Sequence, residues 1–177
     1  MVSEALELRS RVRGDIAAIV ALRTGPYAPP WTGCADPGRS ASGEDFAIVA
    51  LRVGEDFYGA GAGADGAEDG EADGDGRTAR MDAAHEAFET ERWGVVLALD
   101  ERWGPHRELS ADAYEESEAA GALVPPFFGA LVELGYFGDV QTWDVGGRTV
   151  GVGVGQMDQE EPVVLFAVAL APEYATD

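Results

Sequence analysis

The chain has 177 residues, with 33 acidic against 12 basic side chains and a formal net charge of −21. A domain of this length buries roughly 70% of the surface its unfolded form exposes, so it needs neither disulfide nor metal to fold. The single cysteine, Cys34, excludes an internal disulfide framework and a four-cysteine zinc site.

The acidity is regional. All twelve bases are arginine. Residues 1–52 hold six acids and six arginines, 53–76 hold eight acids and no base, and 111–147 hold seven acids and no base. Such a field repels nucleic acid and anionic membrane and attracts basic partners. The competing reading is a compositional habit of the host, since lysine is absent while Ala, Gly, Val and Arg are abundant. The N-terminus carries Glu4 and Glu7 and lacks a basic n-region with an apolar h-region. With no run approaching about 20 apolar residues, neither secretion nor membrane spanning is expected, and a cytoplasmic address follows.

Residues 3–23 read as an amphipathic helix through Leu8, Val12, Ile16, Ile19 and Val20, with Ser3 as N-cap. Residues 25–43 contain four prolines and read as a loop pinned by Tyr27 and Trp31, with Trp31 also a candidate partner contact. Residues 46–53 (FAIVALRV) form a strand. The stretch 59–76 has no bulky apolar residue and reads as a flexible acidic Gly-rich insertion. Within it Asp69, Glu71, Asp73 and Gly74 match the first half of a calcium loop. The ninth and twelfth loop positions are Arg77 and Arg80, so these three acids are weak metal candidates only.

Residues 77–90 predict a second helix, with His85 on its apolar face, leading into a central strand at Val95, Val96, Leu97, Ala98 and Leu99. The turn after it brings Asp100, Glu101, Arg102, His106 and Arg107 together, which makes Asp100, Glu101 and His106 the weak candidates for acid–base chemistry. The two arginines are equally suited to neutralise those acids. Ser110 caps an acidic helix to about residue 120 carrying Glu115, Glu116 and Glu118. Pro125 and Pro126 open a more apolar helix that Gly135 closes.

The last forty residues are the most strongly patterned. Residues 140–145 and 148–154 flank Gly146-Gly147 and predict a two-residue hairpin pairing Trp143 with Val150. One face then carries Gln141, Trp143, Val145, Val150, Val152 and Val154, and the other ends in a shelf at Gly151, Gly153 and Gly155. Residues 163–170 add a strand that is apolar on both faces. Gly151, Gly153 and Gly155 do not make a dinucleotide loop, because the third glycine comes one residue early and no helix follows.

These elements predict one α+β domain over 1–177, with a mixed sheet of about five strands, a parallel unit joining its first two, a C-terminal antiparallel meander, and helices mainly on one face. No cofactor motif occurs. Missing catalytic motifs and strong acidity favour a non-enzymatic binding module, an inhibitor or toxin-neutralising immunity protein that covers a basic partner with Trp31, Glu115, Glu116, Glu118 and Asp144. The alternatives are a small enzyme using Asp100, Glu101 and His106, and a structural subunit of a larger assembly. Sequence leaves the oligomeric state open.

Overall fold

A computed structural model describes residues 2–57, 73–110, 116, 119–121 and 124–172. The expected insertion lies outside the described residues except at 73–76, which are helical. Among the described residues, the helices α1 (Val2–Leu22), α2 (Asp73–Trp103) and α3 (Pro126–Leu134) pack on a sheet of six strands. The strands are β1 (Ala41–Ser42), β2 (Phe46–Val53), β3 (Arg107–Ser110), β4 (Asp139–Asp144), β5 (Thr149–Gly155) and β6 (Val164–Leu170). Their spatial order is β1-β2-β6-β5-β4-β3 and every pairing is antiparallel. The class is α+β, but among the described residues the sheet has six strands rather than five, is antiparallel rather than mixed, and contains no parallel unit.

The largest correction concerns residues 95–99, which are not a strand. They lie inside α2, where Phe88, Glu91, Val95 and Leu99 recur at helical spacing and are buried, whereas Leu97 is 63% exposed. A strand covered on both faces would have hidden Leu97 as well. Gly94, which resembles a strand boundary in the sequence, instead brings two helices close. A Cβ there would meet Val12 Cγ2 of α1 at 3.0 Å. His85, expected in the core, is about half exposed and faces Glu89.

The sheet centre is β6, with β2 and β5 on its flanks. Alternation along it sends Val163, Leu165, Ala167 and Ala169 into a core with α1 and α2, and Val164, Phe166, Val168 and Leu170 into a second core with α3. Two helices therefore cover one face and one covers the other. The hairpin forms as expected: Trp143 pairs Val150, and Gly146 and Gly147 take φ of 65° and 79°, which a two-residue turn of this kind requires. The glycine shelf is filled from within, since Phe166 covers Gly153 and Tyr136 covers Gly155, and the two rings stack at 4.5 Å. Ser3 is not a cap; it lies within α1 and donates to Glu7.

Arg148, beside the hairpin turn, donates to the carbonyls of Leu22 and Gly25 at 2.7 Å each and stacks on Tyr27 at 4.1 Å. It thereby satisfies carbonyl groups that the end of α1 leaves open. Within the described residues, no helix is long and apolar enough to cross a membrane.

Candidate functional site

Three features of α2 carry polar chemistry: a charged node on its buried side, an aromatic-lined pair of side chains at its C-terminus, and an exposed stripe along its outer side.

The node begins with a break in strand alternation. Along β2, Ala47, Val49 and Leu51 face α1 and α2, so regular alternation would send Arg52 to the other face. A bulge between Ala50 and Arg52 makes Arg52 pair with Leu165, which faces the helices, and so turns the guanidinium toward α2. There it stacks over the Phe88 ring at 4.0 Å and donates to Oε2 of Glu91, a fully buried carboxylate. Arg11 of α1 donates to the same oxygen at 3.0 Å. Asp15, one turn further along α1 and also buried, faces Glu91. Burial pushes the Asp15 carboxyl up to about 7, helped by the neighbouring Glu91 carboxylate and opposed by the charges of Arg52 and Arg11. Burial also lowers Arg52 below the usual guanidinium range, against the pull of Glu91.

At the other end of α2, Asp100 gathers donors. Its Oδ1 accepts the His106 backbone N–H at 2.9 Å and the Trp143 indole N–H at 3.0 Å, and its Oδ2 lies 3.0 Å from His106 Nδ1. Burial pushes Asp100 up, but the bonds from His106 and Trp143 outweigh it and hold the carboxyl below its ordinary range. The imidazole sits 6.1 Å edge-to-face from both Trp93 and Trp143. This arrangement orients His106 through Nδ1, as an acid–base histidine requires. Glu101, the third candidate, is exposed and makes no bond to either residue. Among the described residues no group of three His, Cys, Asp or Glu side chains is placed to hold a metal ion.

On its outer side, α2 presents Asp82, Glu86, Thr90, Trp93, Leu97 and Glu101, all exposed and spaced four, four, three, four and four residues apart. Trp93 is 43% exposed, and Leu97 lies one turn beyond it. No arginine falls on this line. Arg92 lies to one side, stacked at 4.7 Å from the Trp93 ring and bonded to Glu89 and Gln141.

The chain matches no family model, no curated protein and no solved structure. Geometry alone therefore ranks the candidates.

Trp31 is half-buried; its indole N–H donates to the Tyr27 carbonyl at 2.6 Å and its ring packs on the core. Asp144 accepts from Arg107 and, at 2.6 Å, from Thr149. Glu116 is exposed, while Glu115 and Glu118 lie outside the described residues. Asp69 and Glu71 also lie outside them, and Asp73 opens α2. The sequence reading placed Asp100 and His106 in one turn, and they do meet. It missed Glu91, Arg52 and Asp15, although Leu8, Val12, Asp15, Ile19 and Leu22 form one helical line on which Asp15 is the single charge. An acid in an apolar line is a readable sign of a buried charge pair.

Proposed function

We propose that this chain is an acidic protein-binding module that docks a basic protein partner on the outer stripe of α2, acting in the cytoplasm as an inhibitor or toxin-neutralising immunity protein. The observation that carries it is Trp93 and Leu97, two large apolar side chains exposed one turn apart on a rigid helix with acids before and after them. Tryptophan on a rigid element is the side chain that most often dominates a protein interface, and a charged rim steers and registers the partner. Charge complementarity selects the occupant: a chain of net −21, with no base on this line, favours a surface rich in lysine and arginine around an apolar pocket.

A photo-crosslinking amino acid in place of Leu97, with the same group in place of Glu133 on α3 as control, tests the proposal. In a lysate of the source organism at about 50 mM salt, position 97 captures a basic protein, the yield collapses near about 500 mM, and position 133 captures none of it. Equal capture from both positions, or capture from position 97 of acidic proteins only, contradicts the assignment.

A second reading, a small enzyme, draws on the Asp100–His106 contact at 3.0 Å. It ranks lower because two open grooves on the surface lie elsewhere, one lined by Arg52, Val53, Arg80 and Phe88 and one by Leu8, Arg11, Ala83 and Ala87. Neither reaches His106.

A further inference from the structure

Two buried acceptors in the charged node have no donor. Asp15 Oδ2 and Glu91 Oε1 are shielded from solvent and neither accepts a hydrogen bond from any N–H or O–H group of the fold. An unsatisfied buried carboxylate oxygen is costly, and two neighbouring buried carboxylates that are both anions are costlier still. One proton between them resolves both, with Asp15 as the acid donating its O–H to Glu91. We propose that Asp15 and Glu91 share a single proton and that this proton is a pH-sensitive latch holding α1 against α2 and β2.

The groups facing the pair are all arginines. Arg11 comes from α1 and Arg52 from β2, and both bind the opposite Glu91 oxygen, Oε2. Both occupy Oε2 and leave Oε1 free to accept the shared proton. No histidine of the chain takes part, since His85 faces Glu89 and His106 faces Asp100. The latch is independent of the docking face on the outer side of the same helix.

The sign of the effect follows from linkage. With α1 closed, Asp15 holds its proton up to about 7; with α1 detached, it titrates at its ordinary value of 3.8. Closing therefore takes up a proton between these values. The contribution to closure is complete below the lower value, declines as pH rises, and is lost above the higher one.

Hydrogen exchange of the α1 amides in the full chain, corrected for the intrinsic pH dependence of exchange, reads the latch. Protection of α1 falls at least about tenfold between about pH 5 and about pH 8 in the wild type. In Asp15→Asn, whose amide N–H makes the same bond to Glu91 without titrating, it changes less than about twofold. Protection that does not change with pH in the wild type, or that falls equally in both proteins, overturns the proposal. Should Asp15→Asn fail to fold, difference infrared spectroscopy of the wild type decides. A protonated-carboxyl C=O signal lost over the same interval supports the latch, and its absence overturns it.

Discussion

Replacing Glu91 with alanine lowers the folding free energy by about 3–5 kcal/mol. The carboxylate is fully buried and accepts from both Arg11 and Arg52, so its removal leaves two cations without their counterion. Arg52 has the fewer alternatives. The β2 bulge commits its guanidinium to the α2 side, where Phe88 offers only a ring face. Asp15 simultaneously loses the acceptor of its proton. Glu89→Ala serves as control. Glu89 pairs with Arg92 on a partly exposed stretch of the same helix, and its removal costs at most about 1 kcal/mol. Urea denaturation followed by tryptophan fluorescence measures both variants. A Glu91→Ala loss no larger than that of the control would show that the node does not hold the helices to the sheet.

Trp93→Ala carries the largest effect expected on binding. It weakens association with the basic partner by at least about 2 kcal/mol, or roughly 30-fold in Kd, mainly through faster dissociation. Its folding stability moves by less than about 1 kcal/mol, because the ring is nearly half exposed, with Arg92 over its face and His106 edge-to-face with it. Glu86→Gln and Glu101→Gln, on the acidic parts of the stripe, slow association and flatten its salt dependence with little change in the dissociation rate. The contrast separates an apolar anchor from a steering rim. Surface plasmon resonance against the captured partner at two salt concentrations reads both rates, and a Trp93→Ala complex as long-lived as the wild type would remove the residue from the interface.

Much of the fold was legible where alternation is strict. In β5 and β6 each residue's face could be read from its position, because period-two patterning admits one register. The α3 helix was equally clear from its opening prolines and Gly135. Residues 95–99 were not, since five consecutive apolar residues satisfy a doubly covered strand and a buried helical segment alike. What decides between them is the longer line from Phe88 through Glu91 to Leu99, and Glu91 hides that line by being charged. The node was illegible for a related reason. Arg52 reaches it only because a bulge adds one residue to β2, and no local signal in FAIVALRV announces a bulge. The C-terminal turn was located but its chemistry was half seen: Asp100 and His106 are neighbours in sequence, whereas Trp143, which completes the carboxylate's bonding, arrives from a strand 43 residues away. Trp93, just before that run, becomes an exposed ring on α2 once the segment is helical.

Radical footprinting of the partner complex tests the docking face most directly, because it reports side-chain access residue by residue. Trp93 and Leu97 are 43% and 63% exposed in the free chain, and Met157, 51% exposed and packed beside Gly135 at the end of α3, provides an internal reference on another surface. Binding lowers modification of Trp93 and Leu97 severalfold and leaves Met157 unchanged. Protection of Met157 with Trp93 and Leu97 still fully reactive would place the partner elsewhere and contradict the assignment of α2.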